Sequence, residues 1–178
     1  MFRLEVSCRK PQSPRRLTPD ARLSRYALLS CTFVRSTESL IRVRYKETDQ
    51  MGIAHHANYI VWFEVGRTDL CRETGFSYAD IEARGYILVV TEIGCRYRAS
   101  FRYDEEVRIR TSVAEWGSRG VKFRYELYGP GEELRATGFS SHLWLDRETR
   151  KPVRADQEVA KGFAPFVERA ESTRPTSP

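Results

Sequence analysis

The sequence predicts an α+β domain in which an antiparallel sheet wraps around one long helix. One strand-like segment is followed by a single long amphipathic helix, and four further strand-like segments with short turns come after it. This order is typical of a sheet that packs one face on the helix. A second copy usually covers the remaining face and edges of such a sheet, so we expect a homo-oligomer, either a dimer or a tetramer.

The first strand is predicted at residues 40–47, where apolar and charged side chains alternate as in a half-buried strand. Residues 58–74 carry apolar side chains at helical spacing, and Gly75 follows where a left-handed C-cap belongs. Ser77 is a suitable N-cap for a shorter helix that Gly85 would close.

Four strands are predicted after these helices, because residues that form tight turns separate four segments rich in strand-forming side chains. The predicted ranges are 86–101, 105–115, 121–128 and 134–145. A final amphipathic helix is predicted at 156–168.

The net charge of +6 belongs to the N-terminal segment. Residues 1–37 contain eight basic and two acidic side chains, whereas residues 38–178 contain 22 of each. The remainder is therefore neutral, which argues against a nucleic-acid partner.

We expect residues 1–37 to be a disordered leader, either a targeting segment or an over-long start, because they are rich in Arg, Ser and Pro without periodicity. A single domain is expected at 38–170, with a disordered tail at 171–178.

The cysteines are far apart in the sequence, and none belongs to a C-x-x-C pair; they are Cys8, Cys31, Cys71 and Cys95. This spacing argues against a zinc site or a redox motif. We therefore expect reduced thiols and a cytoplasmic protein.

No apolar run approaches the roughly 20 residues of a membrane helix, so no membrane span is predicted.

Residues 45–67 carry the clearest chemical signal, with the sequence Y-K-E-T-D-Q-M-G-I-A-H-H-A-N-Y-I-V-W-F-E-V-G-R. Asp49 lies in a glycine-containing loop just before the predicted helix, whose first backbone N–H groups belong to residues such as His56 and Asn58. Unpaired N–H groups at a helix start can stabilise an oxyanion, so the arrangement suits chemistry at a carbonyl. Asp49 would act there as nucleophile or as general base, and Gly52 would allow a positive φ in the loop.

Other site chemistries lack their sequence patterns. The chain has no dinucleotide-binding or P-loop glycine motif and no G-x-S-x-G. His55 and His56 are adjacent and cannot both face one metal from a helix, and His142 lies in a predicted strand, so we expect neither a metal nor a cofactor. A structural alternative remains open, in which Asp49 forms a turn and Asn58 caps the helix.

The segment resembles the hotdog-fold acyl-CoA thioesterases, specifically the 4-hydroxybenzoyl-CoA thioesterase family and its YbgC-like branch. The shared pattern is an aromatic-x-E-T-D-x-x-G-x-x-x-H-x-x-Y string followed by F-E-x-x-R. It is carried here by Tyr45, Glu47, Thr48, Asp49, Gly52, His56, Asn58, Tyr59, Phe63, Glu64 and Arg67. The resemblance continues to about residue 168. It implies a five-stranded antiparallel sheet around a central helix, and hydrolysis of an acyl-CoA thioester to a carboxylic acid and CoA.

The resemblance also implies roles for individual residues. Asp49 matches the catalytic carboxylate, and His56 matches the residue whose backbone N–H polarises the thioester carbonyl. The His56 side chain and the Tyr45 hydroxyl are implied to orient Asp49 or the attacking water. The expected substrate-binding residues are Gly52 and Asn58 at the loop and helix start, Tyr59, Trp62 and Phe63 at the acyl pocket, and Arg119 and Lys151 as basic contacts for CoA.

Three alternatives stay open at this level. Glu64 and Arg67 stand three positions apart and are expected to form a structural ion pair, but another hotdog branch uses a helix carboxylate as its catalyst, so Glu64 is a second candidate. The acyl donor could also be acyl carrier protein, since both carriers present a phosphopantetheine arm. A non-catalytic acyl-CoA-binding protein is a further alternative, which the joint presence of Asp49, His56 and Tyr45 disfavours.

Overall fold

The structure, a computed structural model, describes residues 35–168. Residues 1–34 and 169–178 lie outside this range, so the disorder expected for most of the leader and for the tail stays a prediction. Within the described part, no helix is long and apolar enough to cross a membrane.

Five antiparallel strands form one sheet in the spatial order β1-β3-β4-β5-β2. The strands are β1 at Thr37–Arg42, β2 at Tyr86–Tyr97, β3 at Glu106–Trp116, β4 at Gly120–Tyr128 and β5 at Leu134–Asp146. A long helix, α1, spans Ala57–Glu73 and packs against the sheet. The predicted α+β class, with a five-stranded antiparallel sheet around one long helix, is confirmed.

The ends of the helices follow the predicted caps. Gly75, just after α1, has a φ of +91°, and Gly85 has a φ of +87°. The shorter helix α2 spans Tyr78–Ala83, and the Ser77 hydroxyl accepts the backbone N–H of Asp80 at its start. These predictions succeed because caps depend on short-range chemistry that the local sequence already contains.

Two glycines allow α1 to lie close to the sheet. A Cβ at Gly66, in the middle of α1, would come within 2.9 Å of Cγ2 of Ile109 on β3. A Cβ at Gly138 on β5 would overlap the ring of Phe63, which stacks on Tyr125 with ring centroids 4.4 Å apart. The helix therefore occupies a fixed position against the sheet, and its N-terminus is fixed with it.

The first strand is shifted from the predicted range 40–47: it begins at Thr37, a residue that the sequence analysis assigned to the leader, and it ends five residues early. β1 ends at Arg42, and residues Tyr45–Glu47 form a 3-10 turn. Glu47 is buried at 3% exposure, and its carboxylate accepts the backbone N–H of Arg44 at 2.8 Å. This local hydrogen bond replaces a strand pairing that alternation alone would have favoured.

Two other elements also end early. β2 stops at Tyr97 because the backbone N–H groups of Arg98 and Ala99 both donate to the carbonyl of Arg135, which bends the chain away from the sheet. The last helix, α3, spans Gln157–Phe163 and continues only as a 3-10 turn, since Pro165 offers no N–H for a further helical bond.

A polar chain crosses the core beneath α1. The hydroxyls of Tyr125 and Ser140 lie 2.6 Å apart, and Nε2 of His142 lies 2.7 Å from the Ser140 hydroxyl. His142 is 3% exposed. Burial, with a smaller contribution from the positive charge of Arg67, lowers the pKa of His142 to about 4. His142 thus packs as a neutral core residue, as its strand position predicted.

This buried histidine should make folding sensitive to mild acid. His142 has a pKa near 6.5 in the unfolded chain and about 4 in the folded chain, so the unfolded chain binds the proton at a higher pH. The contribution of His142 to the free energy of unfolding is therefore highest above pH 6.5 and falls as pH is lowered. Between pH 7 and pH 5 we expect a loss of about 2 kcal/mol in the free energy of unfolding, measured by urea denaturation. His142→Gln should remove most of that dependence; an unchanged pH profile would contradict the assignment.

Candidate active site

A cavity of about 210 Å³ lies between the Asp49 loop, the start of α1 and the chain that follows β2. Its lining residues are Asp49, Met51, Ile53, Ala54, His56, Tyr59, Tyr97, Arg98, Ala99 and Ser100. Three of the predicted site residues, Asp49, His56 and Tyr59, therefore meet at one surface depression. The remaining lining residues come from the end of β2, from the chain that follows it and from the loop itself.

The Asp49 loop is closed by its own backbone. The N–H of Asp49 donates to the carbonyl of Ile53 at 3.0 Å, and the N–H of Gly52 donates to the carbonyl of Asp49 at 2.9 Å. Gly52 has a φ of +71°, which confirms the predicted need for glycine in this turn. Oδ1 of Asp49 accepts the Met51 N–H at 2.8 Å. Oδ2 accepts no hydrogen bond from the residues that the structure describes, so one carboxylate oxygen is available to a substrate or water.

The start of α1 offers a hydrogen-bond donor to the same cavity. His56 is the N-cap of α1, and within residues 35–168 its backbone N–H has no acceptor. The next two N–H groups are used locally, since Ala57 donates to Nδ1 of His55 at 3.3 Å and Asn58 to the carbonyl of His55 at 2.9 Å. The His56 N–H also lies at the positive end of the helix dipole, where negative charge is stabilised.

Tyr97, which the sequence analysis did not single out, forms one wall of the cavity. Its hydroxyl donates to the carbonyl of His56 at 3.1 Å, and its ring packs edge-on against Tyr59 with centroids 4.9 Å apart. Partial burial, with a smaller contribution from Cys95, raises the pKa of Tyr97 to about 12, and burial also raises the pKa of Tyr59. Both phenols are neutral at physiological pH. No motif marks Tyr97, because only the β2–α1 contact brings it to the site.

Other predicted residues lie elsewhere. Tyr45 is 79% exposed and packs edge-on against Tyr103 at 5.6 Å, and its hydroxyl is not among the hydrogen-bond donors to Asp49. Trp62 and Phe63 are buried in the core rather than in the cavity wall. The predicted role of Tyr45 in orienting Asp49 therefore has no supporting contact within one protomer. The same holds for the predicted roles of Trp62 and Phe63 near the acyl group.

Asn58 does not line the cavity and instead makes a hydrogen bond within the fold. Its side-chain amide donates to the carbonyl of Glu47 at 2.7 Å, which ties α1 to the Asp49 loop. Neither Asn58 nor Gly52 is a lining residue of the cavity, so direct substrate contact by either one stays a prediction.

Arg119 and Lys151 lie at the far end of the sheet from Asp49. The cavity is beside Tyr97, which pairs with Ala136 on β5. The carbonyl of Arg119 accepts the N–H of Trp144, further along the same strand. At about 3.4 Å per residue, Ala136 and Trp144 are roughly 27 Å apart. Lys151 follows at the same end, where its carbonyl accepts the N–H of Asp146.

The helix carboxylate Glu64 is paired as expected. Its Oε2 lies 3.1 Å from Nη2 of Arg67, whose Nε donates to the hydroxyl of Tyr78 at 3.2 Å. The predicted ion pair is confirmed. Among residues 35–168, no group of three or more His, Cys, Asp or Glu side chains is arranged to hold a metal ion.

Comparison with known proteins places this geometry in a family. The model of the thioesterase-like superfamily matches residues 43–163. YneP of Bacillus subtilis is 42% identical over 113 residues, which are 64% of this chain and 82% of that protein. The acyl-CoA thioester hydrolase YbgC of Escherichia coli is 30% identical over 123 residues, covering 69% of this chain and 92% of YbgC.

Solved structures agree with the sequence relatives. The DHNA-CoA thioesterase of Staphylococcus aureus superposes with a TM-score of 0.65 at 38% identity, covering 67% of this chain and 80% of that one. A protein of Thermus thermophilus superposes with a TM-score of 0.69 at 38% identity, covering 72% and 98%. The chain therefore belongs to the thioesterase-like superfamily of the hotdog fold, and the predicted enzyme class, a thioester hydrolase, is confirmed.

Proposed function

We propose that this protein hydrolyses an acyl-CoA thioester to the free carboxylic acid and CoA, with Asp49 as the catalytic carboxylate. The observation that carries the proposal is that Oδ2 of Asp49 and the backbone N–H of His56, both without a partner among residues 35–168, belong to residues lining the same cavity. The names of YbgC and of the Staphylococcus aureus thioesterase support acyl-CoA as the substrate class.

In the proposed reaction, the thioester carbonyl oxygen accepts the His56 N–H at the start of α1. Acting as general base, Asp49 takes a proton from a water molecule as the water oxygen bonds to the carbonyl carbon. The resulting oxyanion is stabilised by the His56 N–H and the helix dipole. Collapse of this intermediate breaks the C–S bond, and the CoA thiolate leaves and takes the proton from Asp49.

Direct attack by Asp49 is the alternative first step. The carboxylate oxygen then bonds to the carbonyl carbon and expels the CoA thiolate, which gives a mixed anhydride that water hydrolyses. The same His56 N–H would stabilise the oxyanions of both steps. The protein supplies no other group for the chemistry in this proposal, and we propose that it needs neither a cofactor nor a metal ion.

Asp49→Asn tests the proposal, because the amide keeps the shape of the side chain but is neither base nor nucleophile. We expect kcat/KM to fall by at least about 100-fold, since a positioned general base contributes about 10²–10⁴-fold. Thiol release should be followed over short-chain, long-chain and aromatic acyl-CoAs, with acyl-acyl carrier protein as a further substrate.

Three results would change the assignment. Full activity of Asp49→Asn would contradict the mechanism and make Glu64 the next candidate. Binding of CoA esters without any hydrolysis by the wild type would favour the non-catalytic acyl-CoA-binding protein. Faster hydrolysis of the acyl carrier protein substrate than of every CoA ester would favour that carrier as the acyl donor.

We further propose that the working enzyme is a homo-oligomer built on a dimer, in the cytoplasm. β2 is an edge strand of the sheet, and Val89 and Val90 on it are exposed. Antiparallel pairing of β2 between two copies would cover this edge, as expected for a two-fold interface. It would also bring the cavity end of one copy towards the far end of the other, where Arg119 and Lys151 lie. A CoA contact by these two bases would then require both copies.

Replacing Val89 and Val90 by Glu should separate the two copies, because it would bring four carboxylates to the paired edge, two on each face of the joined sheet. We expect light scattering to give a multiple of 20.7 kDa for the wild type and 20.7 kDa for the double variant. The paired change Gln157→Glu and Lys161→Gln, at exposed sites on α3 and outside β2, makes the same change of −2 in charge and serves as the control. A monomeric wild type would contradict the proposed interface.

A further inference from the structure

Glu47 is a buried carboxylate in the E-T-D string, and the proposed reaction does not use it. One of its oxygens, Oε1, accepts Nη2 of Arg44 at 2.6 Å, Nε of Arg44 at 3.1 Å and the indole N–H of Trp62 at 3.3 Å. The other oxygen, Oε2, accepts the backbone N–H of Arg44 at 2.8 Å. Both oxygens therefore have donors, in a side chain that is only 3% exposed.

The backbone of Glu47 extends these contacts to the catalytic loop. Its carbonyl accepts the N–H of His55 at 2.8 Å and the side-chain amide of Asn58 at 2.7 Å. The next residue, Thr48, forms an antiparallel bridge with Ala54, so the two ends of the loop are held together. Asp49 follows immediately. Glu47 and its contacts thus join the Asp49 loop to the first turns of α1, through Arg44, Asn58 and Trp62.

The hydrogen-bond donors around Glu47 keep its carboxylate ionised. Burial alone would raise the pKa of Glu47, but hydrogen bonds from Arg44 and Trp62 and the charge of Arg44 together lower it below the usual range. The carboxylate is therefore ionised at neutral pH. An ionised acceptor makes stronger hydrogen bonds than a neutral one, and removing one partner of a buried network leaves the others unsatisfied.

We propose that Glu47 is a positioning residue, whose carboxylate fixes Asp49 relative to the His56 N–H through its contacts with Arg44 on the loop side and Trp62 on α1. Catalysis at a carbonyl needs the attacking group and the oxyanion donor in one geometry, and a displacement of about 1 Å can cost about 100-fold in rate. The Asp49 loop and α1 are separate segments of the chain, so their relative position depends on side-chain contacts of this kind.

The burial of Glu47 and its bond to Trp62 distinguish a positioning role from that of an ion pair that only adds stability. A charge pair that only added stability could lie anywhere on the surface, as Arg35 and Glu73 do at the other end of α1 with a distance of 3.2 Å. Glu47 instead bonds an indole N–H of the helix that provides the oxyanion donor, two residues before the catalytic carboxylate. This role rests on the proposed thioesterase function of Asp49.

Glu47→Gln tests the inference, because the amide keeps the volume but turns one acceptor into a donor that faces the donors of Arg44. We expect kcat for the best acyl-CoA of the panel to fall by about 10- to 100-fold while KM changes less than about twofold. Glu47→Asp keeps the charge but is too short to reach both Arg44 and Trp62, so it should lower kcat in the same way. Glu73→Gln, the matched loss of an arginine–carboxylate pair, should leave kcat and KM unchanged.

Amide hydrogen exchange gives a readout that does not require turnover. In both Glu47 variants, the N–H groups of Gly52, Ala54 and His55 should exchange about tenfold faster or more, while those of β4 stay protected. Equal kcat in wild type and both Glu47 variants, or unchanged exchange in this loop, would overturn the inference. If the wild type hydrolyses no substrate, the proposed function fails, and the exchange data alone then decide whether Glu47 holds the loop.

Discussion

The close contact between α1 and the sheet is the constraint on which the site depends. Gly66 and Gly138 carry no side chain where the helix and strands approach, and Phe63 fills the space between them against Tyr125. Close packing of this kind is rigid and leaves a single arrangement of the helix. Because α1 cannot shift along the sheet, the N–H groups at its start have a fixed position, and the Asp49 loop must be placed relative to them.

The loop reaches that position through polar contacts rather than through the hydrophobic core. Glu47, Asn58 and Trp62 join it to α1, and the Tyr97 hydroxyl joins α1 to β2 from the other side. Polar contacts are directional, so they fix orientations that apolar packing leaves variable. The core thus determines where the helix begins, while the surrounding hydrogen bonds determine where Asp49 lies beside it.

Much of the fold was predictable from local sequence. The bounds of α1 and of β3, β4 and β5 agree with the predicted ranges to within one residue, since periodicity and turn chemistry are short-range properties. The predicted strand at 40–47 extended too far, because the side chain of Glu47 turns back to the backbone of Arg44, and it missed the start of β1 at Thr37. Pro165 likewise ended α3 before the amphipathic pattern did.

The sequence by itself determined the chemical groups of the candidate site, because Asp49, Gly52 and His56 are close in the chain and their spacing is a local property. Tertiary structure decided which residues join them. It brought Tyr97 from the end of β2 to the cavity, and it left Tyr45 exposed beside Tyr103. It also placed Arg119 at the opposite end of the sheet. Strand pairing and helix packing set these distances, and neither depends on how near the residues lie in sequence.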